Sequence, residues 1–224
     1  MPIEAPTDLA EWRKQQRRIL LARRLSISFE DRVRWSQTIA LFLQQGFPLL
    51  SRMAVGFCWP YKGEYDARPL MRILLSQGGR AALPAVHAKG EPLQFREWTP
   101  GAAMKPGALG IPVPEGTRVL VPDALLIPPV GFGEKGGRLG YGGGYFDRTL
   151  ASLSPQPLKI GVAFEVSRMP TIFPQPHDVL MDFIITEAGI HAVGLDGLRV
   201  IDPAECARME ARIIQERGLP RAQA

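Results

Sequence analysis

The run Gly136-Gly137-Arg138-Leu139-Gly140-Tyr141-Gly142-Gly143-Gly144-Tyr145-Phe146-Asp147-Arg148 constrains this chain more than any other segment. Six glycines, two arginines, three aromatics and a carboxylate stand within thirteen residues. Glycine is costly to order, so this density belongs where the backbone takes positive φ or brings bare amides against a ligand. Amides directed into one concavity bind phosphate oxygens, arginines add charge-assisted bonds, and Asp147 offers a hard oxygen suited to Mg2+. A flexible loop without a ligand is the competing reading. Tyr141, Tyr145 and Phe146 weigh against it, because plain linkers are Gly/Ser-rich and large apolar rings find partners.

The apolar run Ala124-Leu125-Leu126-Ile127 precedes the glycines and reads as a buried strand, and a helix is expected from Tyr145. Strand, glycine loop and helix in that order form a phosphate site at a strand's carboxyl end. No Gly-x-x-x-x-Gly-Lys-Ser/Thr occurs. The spacing Gly131-x-Gly133-x-x-Gly136 matches a dinucleotide fingerprint, but no helix can begin while glycines continue to Gly144, so the match is chance.

Helices are expected over residues 8–25, from the Ser28-Phe29-Glu30-Asp31 cap to about 45, over 67–77, near 145–153 and over 203–217. Strands are expected at 53–58, 80–84, 117–121, 124–127, 158–164 and 183–186, with an antiparallel segment at 93–98. This alternation predicts a three-layer α/β/α fold with a mostly parallel sheet and a small antiparallel hairpin. The 224 residues suit one domain, frayed from about Gly218.

Cys58 and Cys206 are the two cysteines, without metal-ligand spacing, which points to a reducing compartment. Neither a signal peptide nor a membrane span is expected, so the protein is placed in the cytoplasm. The net charge is +5, yet Arg13, Lys14, Arg17, Arg18, Arg23 and Arg24 share one window without an acid. Arg13, Arg17 and Arg24 share a helical face, which is either solvated or directed at a polyanion or nucleotide phosphate.

The histidines His87, His177 and His191 form no zinc pattern. His177-Asp178 lies in a loop ahead of a strand, where it can line the same face as the glycines. Asp182, before Phe183-Ile184-Ile185, is a cap or a ligand that could share Mg2+ with Asp147. Glu64, in an aromatic loop after a strand, is an exposed acid or an acceptor for a flat heterocycle. No Gly-x-Ser-x-Gly elbow occurs and neither cysteine has a nearby base, which leaves an ATP-and-Mg2+ type of site.

Residues 137–148 resemble the signature of the 5-formyltetrahydrofolate cyclo-ligase family, also called 5,10-methenyltetrahydrofolate synthetases. Further matches are Arg13 and Arg17 ahead of Ser28, Tyr61-x-x-Glu64-x-Asp66, Leu83-Pro84, Gly110-Ile111-Pro112-x-Pro114 and His177-Asp178-x-x-x-Asp182-x-Ile184-Ile185-Thr186. The resemblance covers about 10–187, and 188–224 form a carboxyl-terminal extension ending in the final helix. It implies ATP- and Mg2+-dependent cyclisation of 5-formyltetrahydrofolate through phosphorylation of the formyl oxygen. Arg13 or Lys14, Arg17, Arg138, Leu139, Gly140, Tyr141, Gly142, Gly143, Gly144 and Tyr145 would bind ATP, with Arg138 and Tyr145 catalytic. Trp59, Glu64 and Tyr145 would bind folate, and Asp147 with Asp182 would bind Mg2+. The resemblance further implies a monomer without nucleic-acid or membrane partners.

Three positions depart from the family pattern. Arg13 stands where a lysine is usual, with Lys14 beside it; Gly133 replaces a common Asp; and the signature ends Tyr145-Phe146 instead of Tyr-Tyr. A kinase or ligase acting on another small carboxylated substrate would carry similar phosphate machinery. A non-catalytic folate-binding relative, or a single-strand nucleic-acid module using the basic helix, are the readings from other classes.

Overall fold

The computed structural model describes residues 4–219. Helices α1 (Leu9–Leu25) and α2 (Phe29–Gly46) open the chain. Each starts on a side-chain cap, Asp8 accepting the Glu11 amide and Ser28 the Asp31 amide, which satisfies donors that lack a partner inside the helix. Next come β1 (Ala54–Gly56), α3 (Arg68–Ser76), β2 (Arg80–Ala85) and β3 (Gln94–Trp98). The hairpin β4 (Met104–Pro106) and β5 (Pro112–Pro114) precedes the short β6 (Val119–Leu120). The glycine region is framed by β7 (Ala124–Ile127), β8 (Gly131–Gly133), β9 (Arg138–Leu139) and α4 (Tyr145–Ser152). β10 (Leu158–Val162), β11 (Arg168–Met169) and β12 (Phe183–Thr186) lead to β13 (Gly189–Gly194), β14 (Gly197–Ile201) and α5 (Pro203–Arg217).

Nine strands form one sheet in the order β14-β13-β12-β10-β7-β1-β2-β3-β6. The five central strands, β12 to β2, pair in parallel, and antiparallel strands extend both edges. Successive residues of β7 face opposite ways: Ala124 and Leu126 pack under α2, α3 and α5, while Leu125 and Ile127 pack with Leu150 of α4. A strand covered on both faces must be apolar throughout, which is the pattern of Ala124–Ile127. Leu20 of α1 joins Val130, Leu139, Met169 and Ile172 over the small sheet β11-β8-β9. The layer above that face is therefore one helix, a small sheet and α1. Among the described residues, no helix is long and apolar enough to cross a membrane.

The chain proceeds from β1 to β2 on one side and from β7 through β10 to β12 on the other. Strand order reverses between β1 and β7, so the loops leaving their carboxyl ends diverge and open a crevice.

Residues 188–202, which carried no strand expectation, form β13 and β14, joined by the two-residue turn Leu195-Asp196. They pair directly with β12. The helix expected at 203–217 is α5, begun by Asp202 accepting the Glu205 amide with Pro203 in the first turn. It closes on Gly218, and Leu219 is buried, so the fraying expected from Gly218 does not begin there; residues 220–224 lie outside the described ones.

Asp182, for which metal binding is expected from the sequence, is bonded to β10 and α5. Its carboxylate accepts the Lys159 amide at 2.8 Å and two bonds from Arg217 at 2.7 and 2.8 Å, with Lys159 Nζ at 3.5 Å. We predict that Asp182→Ala lowers the unfolding free energy by about 3 kcal/mol in urea titrations, because Arg217 and Lys159 lose their counter-charge. A loss of activity at unchanged stability would contradict this structural role.

Candidate active site

The crevice at the carboxyl ends of β1, β2 and β7 opens into a cavity of about 870 Å3. One wall is the loop after β1, with Cys58, Trp59, Tyr61 and Glu64, together with Leu83 and Pro84 of β2. The opposite wall is Arg138 to Arg148, and α1 contributes Arg13 and Arg17. His177 and Asp178 close one end, while Leu109, Ile111 and Val113 of the β4–β5 hairpin cover another.

The glycine run divides into two parts with different physical roles. Gly136 and Gly137 are buried: a Cβ on Gly136 would stand 2.5 Å from Val193 of β13, and one on Gly137 would stand 2.9 Å from Ile172. These two permit close packing. Gly140 to Gly144 line the cavity. Gly144 takes φ +65 at the start of α4 and supplies no side-chain cap, so the first α4 amides remain available at the positive end of the helix dipole.

Four guanidinium groups line the cavity. Arg17 Nε donates to Gly140 O at 2.7 Å, and Arg148 Nη2 donates to Gly143 O at 2.7 Å while stacking 5.0 Å over the Tyr145 ring. Arg13 donates to Ile172 O at 3.2 Å, Phe173 O at 2.9 Å and Asp178 Oδ2 at 2.6 Å. Arg138 donates to Asp147 Oδ1 at 2.6 Å and to Val179 O at 2.5 Å. Burial lowers the pKa of Arg17, with Arg13 adding to the effect, and burial lowers that of Arg138 against the pull of Asp147. Both stay protonated at neutral pH, and their poor solvation makes an incoming anion more welcome.

Lys14 does not line the cavity. Its side chain is 74% exposed and pairs with Glu11 at 3.0 Å, away from the cavity. It lies one helical position from Arg13, which rotates it to the solvent side of α1. Arg13, by contrast, lines the cavity.

Two carboxylates reach the cavity from this side. Asp147 Oδ1 accepts from Arg138 and from the Val179 amide at 3.1 Å, and Asp178 Oδ2 accepts from Arg13 and the Gln175 amide at 2.8 Å. Burial pushes the Asp178 carboxyl up, but the bonds from Arg13 and the Gln175 amide outweigh it and hold the group below the usual range. In each carboxylate the second oxygen takes no hydrogen bond from the described residues. Asp182 does not line the cavity. Among the described residues no three His, Cys, Asp or Glu side chains converge to hold a metal unaided. Mg2+ commonly takes one or two carboxylates and fills its remaining positions with phosphate and water, and Asp147 and Asp178 are the two aspartates that line the cavity.

Glu64 is buried, not an exposed loop acid. Its Oε1 accepts the Tyr141 hydroxyl at 2.7 Å, its Oε2 accepts the Tyr61 amide at 3.1 Å, and Arg24 Nη2 lies 3.6 Å away. Burial raises its pKa to about 7 despite Arg24, Tyr141 and the Tyr61 amide. The same burial, with Glu64 nearby, pushes the Cys58 thiol well up, so it is no nucleophile at neutral pH. Trp59 carries Arg68 over its ring at 4.4 Å, fixed in turn by Asp66 at 2.6 Å.

Sequence reasoning placed Arg148 in the glycine run and Asp178 on the same face without giving either a site role, and it missed Leu109. The departures at Gly133 and Phe146 have local causes. A Cβ at Gly133 would lie 3.1 Å from the Ile172 backbone nitrogen, so a larger side chain displaces main chain, and Phe146 packs against the Leu150 cluster.

A family model for the 5-formyltetrahydrofolate cyclo-ligase family matches residues 9–187. The 5-formyltetrahydrofolate cyclo-ligase of Escherichia coli (strain K12) is 28% identical over 177 residues, covering 75% of this chain and 96% of the relative. That of Haemophilus influenzae is 29% identical over 139 residues, 58% of this chain and 74% of the relative. The NMR structure of Aquifex aeolicus 5,10-methenyltetrahydrofolate synthetase superposes with a TM-score of 0.71 at 27% identity, covering 85% of this chain and 96% of that one. A 5,10-methenyltetrahydrofolate synthetase from Mycoplasma pneumoniae gives 0.65 at 26%, covering 78% and 98%.

The raised Glu64 carboxyl makes stability depend on pH. Between about 4.5 and about 7 the folded chain holds a proton that the unfolded chain releases, so Glu64 contributes stability at low pH that is lost as pH rises through 7. Glu210, which burial raises to about 8, acts in an overlapping window, so the difference between wild type and Glu64→Gln isolates the effect. We predict that thermal unfolding of the ligand-free pair shows a wild-type penalty growing to at most about 3 kcal/mol between pH 5 and 8. A pH-independent difference would refute it.

Proposed function

The chain belongs to the 5-formyltetrahydrofolate cyclo-ligase family, and from that premise we propose that its cavity closes 5-formyltetrahydrofolate to 5,10-methenyltetrahydrofolate at the expense of ATP. The observation that carries this reading is the pairing of two unlike walls in one cavity: a glycine and arginine wall opposite an aromatic wall bearing Glu64. The first suits a triphosphate and the second a flat heterocycle with N–H donors.

The chemistry requires no protein nucleophile. The formyl oxygen attacks the γ-phosphorus, the bond to ADP breaks, and the formyl carbon becomes an activated phosphate ester. N10 then adds to that carbon, loses its proton, and phosphate departs as the ring closes. Phosphoryl transfer rests on alignment and charge neutralisation. In this reading Arg13, Arg17, Arg138 and Arg148 offset the phosphate charge, and the amides of Gly140 to Tyr145 hold its oxygens. Arg138 and Tyr145 stand at the reacting end, Leu139 and Tyr141 complete the nucleotide wall, and Trp59, Glu64 and Tyr145 hold the folate. Asp147 and Asp178 would hold Mg2+, which supplies Lewis-acid neutralisation of phosphate oxygens. Asp178 replaces Asp182 in this role because it reaches the cavity.

The reading extends to a single cyclo-ligase domain acting as a cytoplasmic monomer. Cys58 and Cys206 are unpaired, which suits a reducing compartment.

Mixing the protein with 5-formyltetrahydrofolate and Mg-ATP should generate the near-ultraviolet band of the methenyl product; folded protein giving no band sinks the proposal. We expect Asp147→Ala and Asp178→Ala each to lower turnover about 10²-fold. Arg17→Ala should raise KM for ATP about tenfold or more, whereas Lys14→Ala should change it less than about twofold, in steady-state assays.

A further inference from the structure

Arg24 is a buried cation that the proposed chemistry leaves unused. Its side chain and that of Glu64 are each 3% exposed. Arg24 Nε donates to Lys62 O at 3.0 Å, Nη1 to Pro129 O at 3.1 Å and Nη2 to the Tyr141 hydroxyl at 2.6 Å. One guanidinium from the last turn of α1 thus joins the loop after β1, the segment after β7 and the glycine loop. Taking such a charge out of water costs several kcal/mol unless its donors are satisfied, so this bridge is under strong geometric demand.

The loop carrying Glu64 is braced a second time. Arg32 of α2 donates to Gly63 O at 2.5 Å and to Arg24 O at 3.2 Å. On the other side, Gly140 and Gly142 to Gly144 surround Tyr141 and leave that loop conformationally permissive. The Tyr141 hydroxyl is the hydrogen-bonded link between the rigid and permissive walls: it donates to Glu64 and accepts from Arg24. The Tyr61 ring lies beside it at 5.7 Å.

We infer that Arg24 and the Tyr141 hydroxyl form a latch coupling the two halves of the cavity, so that a ligand held by Glu64 tightens the glycine loop around phosphate. A ligand that donates N–H groups to Glu64 favours its carboxylate form, and a carboxylate binds the Tyr141 hydroxyl more strongly than a neutral acid does. The tyrosine then fixes the loop before phosphate arrives, and the ordering cost falls on the first ligand. Linkage makes the effect reciprocal: nucleotide tightens the heterocycle by the same factor. This inference rests on the assignment of the two walls to folate and ATP.

Calorimetric titration of a non-hydrolysable Mg-ATP analogue, with and without 5-formyltetrahydrofolate, measures the coupling. The expected factor is about 5-fold or more in the wild type and close to one in Tyr141→Phe, which keeps the ring and removes the hydroxyl. Equal coupling in both proteins, or none in the wild type, overturns the latch. A second measurement needs no ligand: amide hydrogen exchange at residues 140–144 should be about tenfold faster in Tyr141→Phe. Unchanged exchange also overturns the latch. Faster exchange in a protein that binds neither ligand supports the latch and locates the failure in the functional reading.

Discussion

The parallel pairing of β1 with both β2 and β7 sets the position of everything at the cavity. Because strand order reverses there, the loop bearing Trp59 and Glu64 and the segment leading to the glycines leave the sheet in different directions. Neither could cover the strand ends alone. α1 then lies across the gap and contributes Arg13, Arg17 and Arg24, so the amino-terminal helix is as much a part of the site as the glycine signature. The apolar β7 run makes this possible, since a strand buried on both faces holds its carboxyl end in a fixed place.

Each carboxylate at the cavity faces an arginine: Glu64 with Arg24, Asp147 with Arg138, and Asp178 with Arg13. Such pairing satisfies buried charges while the cavity holds no polyanion. A phosphate entering beside Arg13 or Arg138 competes for the same donors, and the aspartates then need another cation. In the proposed reading, Mg2+ and the phosphates would be complementary additions to a set of charges that is otherwise internally matched. Glu64 differs, because its surroundings favour the neutral acid and a donor-rich heterocycle supplies what they lack.

Much of this was legible in the sequence. Continuous apolar runs marked β7 and β12, the Ser28 cap marked α2, and the glycine density marked a segment that lines the cavity. Other features turn on geometry that residue type does not carry. Asp178 and Asp182 stand in one short segment, and nothing in residue type says which faces the cavity. Backbone pairing decides it: Asp182 is locked beside the Lys159 amide and turned to Arg217. Lys14 and Arg13 pose the same problem on a helix, where one position turns a side chain about a hundred degrees. The β13–β14 hairpin did carry a signal, the Asp196-Gly197 step between apolar runs, and it went unread. The role of Arg24 had no local signature, because its three acceptors come from separate parts of the chain.

The contact of Val193 with Gly136 ties the floor of the nucleotide wall to a strand that emerges late in synthesis. While a nascent chain still lacks β13, it already contains the complete glycine signature, α4 and both aspartates. Gly136 then has open space where Val193 will lie, and Asp182 has no Arg217. The carboxyl-terminal hairpin and helix thus brace the site from outside it, although the residues assigned to chemistry all precede them.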